Sequence, residues 1–429
     1  MKTKNLSVKI VSTILLISIC LMCCSKNEEN DIITNSPPEA FSLIGVTNNA
    51  LNVDVLPSFT WETSTDVDGD AVSYDLYLDT EPDPTTLYAE NLTNTSYTVT
   101  ERLGLDSKYY WKVMAKDNKG GIISSDTFTF YTRNLNIPDK AFREVNMSQY
   151  NLLSGHESIV FKNKLWIIGK TERSKSFIWY SEDNGETWKS SSANIPFKAR
   201  TAFSLVVFKN KLWLIGGSGA TSSIGMLNDV WYTENGNEWH EATSNAPFSK
   251  RYGHQSFVFN DKIWVVGGYA YATGGHRNDI WSSNDGIGWI EETSNAEFSK
   301  RNGFSINIFN NKIWLIGGGS NEGALNDVWQ SENGINWKKI NTKTIFSKRS
   351  GFSAIVYDNK LWVFGGVSQN DGLRNDIWYS SDGVSWKART SKAPFSPRVN
   401  HTLNIFDNKI YMIGGWTDPS NSNEIWVFD

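Results

Sequence analysis

The chain has 429 residues, long for one domain, and its 39% hydrophobic and 13% aromatic content can furnish more than one sizeable core. A formal charge of −5, with no Lys/Arg cluster, supplies no basic face to neutralise phosphates, which excludes nucleic acid as a partner. All three cysteines, Cys20, Cys23 and Cys24, lie near the start, so nothing downstream can form a disulfide, a thiolate metal site or a cysteine nucleophile.

In chain order, Lys2, Lys4 and Lys9 precede the apolar run "IVSTILLISICLMCC", too short and too close to the start for an ordinary spanning helix. Residues 1–23 therefore read as an export signal, whose removal takes three lysines and no acids and moves the charge to −8. Residues 24–37 form a polar tether. Leu21-Met22-Cys23-Cys24 resembles the lipobox of bacterial lipoproteins, which implies acylation (palmitate) at Cys24, with Cys23 as the fallback. The following "SKNEEND" is similar to signals that send some Gram-negative lipoproteins to the outer face of the outer membrane. The resemblance implies a lipid-anchored protein exposed on the cell surface; the alternative is a cleaved secretory peptide with incidental cysteines.

Residues 38–134 carry short alternating runs, "SFTWE", "SYDLYLD", "TSYTVT", "YYWKVMAKD" and "TFTFYT", separated by turn-rich segments, and this spacing predicts a β-sandwich. Trp61, then Leu103 six residues before Tyr109, then Trp111 resemble a fibronectin type III domain with its tyrosine corner, here a spacer. "DVDGD", residues 66–70, has the opening of an EF-hand calcium loop but Tyr77 where the bidentate Glu belongs, so an acidic hairpin turn stands beside calcium as a reading. No metal site or cofactor is expected elsewhere.

From residue 140 to 429 a repeat governs the chain. Trp166, Trp213, Trp264, Trp314 and Trp362, with Tyr411, form one column; Trp179, Trp231, Trp281, Trp329, Trp378 and Trp426 a second; Trp188, Trp239, Trp289, Trp337 and Trp386 a third. Each unit holds four strand-length apolar runs and no helical periodicity, so it makes one antiparallel sheet with two apolar faces. Such sheets bury themselves only by stacking, and radial closure gives a β-propeller. The double glycine ending the second strand, followed by an aromatic in the third, resembles the Kelch repeat, and "SEDNGETW", residues 181–188, resembles the Asp-box. The second-strand phrase occurs six times. The last copy is one strand short, and "FREVNM", residues 142–147, lines up as its missing fourth strand. The fold class is thus all-β, a sandwich followed by a six-bladed propeller.

Tight turns should gather on one rim and the longer second-to-third loops on the other, the usual setting for a binding site. Arg200, Arg251, Arg301, Arg349 and Arg398 recur where the chain enters the innermost strand from that second rim, either as structural pairs or as a ring able to bind carboxylates or sugar hydroxyls. The Kelch resemblance raises the ligand-binding alternative, because such domains use an arginine near this place. Tyr269, Tyr271, His276 and Trp416 belong to no column and offer faces for stacking. Asn228-Asp229, Asn278-Asp279, Asn326-Asp327 and Asn375-Asp376 read as hydrogen-bonded closures, and His156, His254 and His401 as packing groups, since other repeats carry Phe there. No catalytic residue is assigned. The expectation is a monomeric surface lipoprotein whose propeller binds a glycan or protein without catalysis; the alternative is an enzyme acting on an acidic sugar, similar to Kelch-type sialic-acid epimerases or mutarotases.

Overall fold

The computed structural model describes residues 34–144, 155–171, 174–191, 194–222 and 225–429. The leader, Cys24 and residues 145–147 of the expected closing strand lie outside them.

Between residues 43 and 132 a six-stranded sheet packs against the short pair Ser58–Thr60 and Ser96–Thr98. Phe59, Trp61, Leu76, Trp111, Val113 and Phe130 form the shared core. The Gly104 N–H donates to the Tyr109 hydroxyl at 3.0 Å, tying the crossing chain to the sheet.

Six further antiparallel sheets follow, and the third shows the pattern: Gln255–Phe259, Lys262–Ala270, Gly275–Ser283 and Ile290–Thr293, in sequential order from the inside out. Their innermost strands stand side by side in ring order, and the sixth, Thr402–Phe406, returns to the first, Glu157–Phe161. The ring is closed. Blade six completes its sheet with Arg143–Glu144, which pair with Ile425 and Glu424 within the stretch anticipated for that strand. Pairing this edge removes a row of unsatisfied backbone groups.

The tryptophan columns explain the stacking. First-column Trp213 lies over blade three's turn at Gly286, where a Cβ would come within 2.2 Å of the indole; Trp314 and Gly383 repeat this at 2.1 Å. In blades two to five the glycine of the Asp-box-like turn thus makes room for the preceding blade's tryptophan. Within the turn, Ser283 Oγ accepts from Gly286 N (2.7 Å), and Asp285 accepts from the Ile287 and Gly288 amides (2.8 and 2.9 Å). These carboxylates fold the turn.

A second device joins the blades at the inner rim. Gly155, Ala202, Gly253, Gly303, Gly351 and Asn400 all have positive φ, between 50° and 69°. Ala202 N donates to Gly155 O, Gly253 N to Ala202 O, Gly303 N to Gly253 O, Gly351 N to Gly303 O and Asn400 N to Gly351 O, at 2.8–3.0 Å. This belt of main-chain bonds runs from blade one to blade six. Ala202 is the costly member, because a left-handed conformation penalises an L side chain by about 1–2 kcal/mol. Ala202→Gly should therefore raise stability by about 1 kcal/mol in urea unfolding, whereas Gly303→Ala should lower it by at least as much. At Gly303 a Cβ would sit 3.3 Å from the Gly351 amide nitrogen. Equal effects from the two variants would contradict the belt.

The sandwich is not the free spacer expected of it. Leu105 and Leu135 are fully buried in one cluster with Tyr357, Trp362, Tyr379, Phe395 and Phe428 of blades five and six. Lys360 Nζ donates to Leu105 O (2.6 Å), the Tyr379 hydroxyl to Asp106 (2.7 Å) and Arg389 Nε to Leu135 O (2.9 Å). Burial and the adjacent Asp106 push the Tyr379 phenol up to about 12. Asp358 and Lys360 flank a tight first-to-second turn, so the sandwich docks on the tight-turn rim and leaves the other rim open.

Candidate functional site

The arginine column is the first surprise for a binding ring: all five side chains are 0–1% exposed. Arg251 shows why. Its Nε donates to Ser249 O (3.0 Å), NH1 to Gly267 O (2.9 Å) and Asp279 Oδ1 (2.8 Å), NH2 to Ser249 Oγ (2.9 Å) and Asp279 Oδ2 (2.6 Å). All five donors are spent. Arg200, Arg301 and Arg349 clasp Asp229, Asp327 and Asp376 with both terminal nitrogens, and Arg398 pairs with Glu424. The expectation that these arginines face a ligand is therefore corrected. Each holds an acid of its own blade, and reaching outward would strand that acid in a low-dielectric interior. Burial works hardest against ionisation of Asp327, yet the hydrogen bonds and charge of Arg301, with the Trp329 indole, outweigh it and hold the carboxyl below the usual range.

The neighbouring motifs serve the same clasp. In blades two to six the second-column indole donates to the acid, as Trp281 Nε1 does to Asp279 at 2.9 Å. The asparagines before the acids close the outer turn: Asn278 Nδ2 donates to Ala296 O (2.8 Å) and Phe298 O (3.0 Å). The double glycine forms a bulge, with register shifting between Val266 and Gly268, and the Gly267 carbonyl accepts from Arg251. Blade one has Phe177 at the acid's place and a single Gly169, and its ladder runs without a shift. The bulge accompanies the arginine.

Inside the ring lies an axial cavity of about 660 Å³, walled by the innermost strands of all six blades. Its lining is mostly hydroxyl, amide and backbone: Ser158, Ser305, Ser353, Thr402, Asn302 and Asn400 contribute to it. His156, His254 and His401 are 1–3% exposed in this wall. His254 Cε1 lies 3.1 Å from where a Cβ on Gly216 of blade two would sit, and His401 meets Gly365 of blade five likewise at 3.2 Å. They fill the place that Phe304 and Phe352 fill elsewhere. Desolvation, reinforced by the nearby Arg251 and Arg398, holds both rings neutral, with pKa about 3.

The unrepeated aromatics crown this cavity unevenly. Second and third strands run further than expected, so Tyr269 and His276 are cross-strand partners on an extended hairpin and not loop residues. Their rings meet edge to face at 5.0 Å, and Tyr252 lies 5.5 Å from Tyr269. His276 also bonds Asn302 (3.2 Å) and Asn321 (2.7 Å) of blade four through their side-chain oxygens. Tyr271 stands at the hairpin tip, 77% exposed, its N–H directed at Met226 Sδ of blade two. Trp416, 38% exposed, pairs its backbone with Val399 of the cavity wall. Blades three and six are opposite in a ring of six, so the two aromatic groups flank the mouth.

A closed ring of four-stranded blades, with the glycine bulge in blades two to five and an aromatic following it, decides the family. The chain belongs to the Kelch-repeat proteins. It matches the KLHDC2/KLHL20/DRC7 Kelch-repeats domain over residues 155–344 and 331–429. Among curated proteins none matches it significantly. In this Kelch propeller the sequence reading missed two features of the mouth. The belt was legible in the glycine two residues after three of the five arginines, in "RYGH", "RNGF" and "RSGF". Glu157 was not noticed, although it replaces the Ser, Gln or Thr that follows His or Phe in every other blade.

Proposed function

We propose that this Kelch propeller is a non-catalytic binding module that takes a protein or glycan ligand at the open mouth. Membership of a repeat family suited to protein interaction supports a protein first. The observation that carries the reading is the mouth itself: a polar cavity flanked by unrepeated Tyr252, Tyr269 and His276 on one side and Trp416 on the other. A cavity of this size suits a side chain or a short segment of a larger ligand. The N-terminal sandwich, with its Tyr109 to Gly104 bond, is read as a fibronectin type III-like module. Together with lipidation at Cys24 it would hold the propeller at an outer-membrane surface with the mouth turned away from the docked face.

Probing peptide and glycan arrays with the full chain should yield ligands whose affinity falls about three- to tenfold in Tyr271→Ala or Trp416→Ala, the loss of one aromatic contact. Both residues are partly or largely exposed, so thermal stability should hold. Unchanged affinity in both variants would move the site away from the mouth.

A further inference from the structure

Glu157 stands in the cavity wall without a hydrogen-bond partner among the described residues, and it is the only carboxylate among the described lining residues, which include no lysine or arginine. Its isolation has a cause in the ring. In the two flanking blades the residue at this place bonds to the second position of the next blade: Thr402 to Ser158 across the closure, and Ser204 to Ser256 at 2.5 Å. From Glu157 the corresponding position on blade two is Leu205, which offers no hydrogen bond. Burial without compensation pushes the carboxyl up to about 8. The neighbouring blades have spent their polar groups on each other, and this one has not.

We propose that Glu157 is the recognition group of the axial cavity, and that the ligand segment entering it is a peptide carrying a lysine or arginine side chain. The inference rests on the binding reading above and names the chemistry of that same site. An aliphatic stem with a cation at its tip matches a cavity whose wall offers Leu403, Val399 and Ala354 beside hydroxyls and amides, and a single acid. The five buried arginines cannot oppose such a guest, since each is neutralised by its own acid. The other titratable groups facing the cavity are His156, His254, His401 and Tyr252, with His276 at the rim. His254 and His401 remain uncharged above pH 4.

The test titrates the full chain with the blocked tripeptides acetyl-Gly-Lys-Gly-amide and acetyl-Gly-Arg-Gly-amide, with Gln and Glu counterparts and glucosamine oligomers as controls. The basic peptides should bind selectively, and their affinity should rise from pH 6 to 8 by up to tenfold per unit, because the carboxyl must ionise to receive the cation. At pH 7 the Glu157 carboxyl carbon should shift to its ionised position in NMR on adding the lysine peptide. Glu157→Gln should lower affinity tenfold or more and flatten the profile between pH 6 and 8. Its melting temperature should match or exceed that of the parent. No binding of the basic peptides at millimolar concentration, equal binding of neutral or acidic ones, or undiminished binding by Glu157→Gln would overturn the proposal. A response to glucosamine oligomers alone would overturn the peptide assignment. Array ligands that depend on Trp416 but carry no cation would retain the mouth as a binding site and sink Glu157 as its recognition group.

Discussion

Replacing Arg301 with alanine is expected to cost about 3–5 kcal/mol of folding stability, the scale for breaking a buried ion pair by removing one partner. The side chain is fully buried, and its loss leaves Asp327 with an uncompensated charge, the Gly317 carbonyl without a donor and a cavity against Phe298. Removing both charges should hurt less. In the sequence Leu153 and Phe177 stand at the repeat positions that carry arginine and acid elsewhere, an apolar combination. Arg301→Leu with Asp327→Phe should recover part of the loss in urea unfolding. A single Arg301→Ala variant that folds as stably as the parent but loses its ligand would return the arginines to the ligand-binding alternative.

The second large effect concerns acid. His254 and His401 have folded pKa values of about 3, below the ordinary 6.5. Between those limits the unfolded chain binds protons that the native rings refuse. Stability from these groups is complete above about pH 6.5, falls as pH drops through the window and levels off below about 3. At pH 5 each ring should cost about 2 kcal/mol relative to pH 7. Glu157 works in the opposite direction, because its raised folded pKa lets the native state hold a proton that the unfolded chain has already lost. The histidine contribution is therefore read from a difference. His254→Phe with His401→Phe, the residue used at this place in blades two, four and five, should become more stable than the parent by about 4 kcal/mol on moving from pH 7 to pH 5. A difference that does not change with pH would show that the rings are hydrated or charged in the native state.

These effects bear on what could be read from residues alone. The propeller was legible because its periodicity is redundant: a tryptophan in each of three columns meets the same neighbour in successive blades, so one rule describes the whole ring. The last blade's missing strand was legible as arithmetic in the same repeat. The arginines were ambiguous because a column present in most copies can serve either the copy or a ligand. Only the distances from Arg251 to Asp279, and the exhaustion of its donors, separate those roles. The asparagine-acid pairs held half of the answer, since an acid repeating in step with an arginine is its natural partner. The sandwich contact escaped because Leu105 and Leu135 belong to no repeat and their partners lie more than 200 residues away. Glu157 escaped because it departs from its column by one side chain, and its environment comes from the residue on the next blade.

The belt and the arginine clasps build the ring, while the proposed ligand meets the rim opposite the sandwich. Hydrogen–deuterium exchange of the full chain, free and saturated with a ligand selected on the arrays, tests this most directly. Protection should appear at Tyr252, along the hairpin from Tyr269 to His276, at Asn302 and around Trp416, with no change at the tight turns such as Asn310 and Asn311. Protection confined to those tight turns, or to the sandwich, would contradict it.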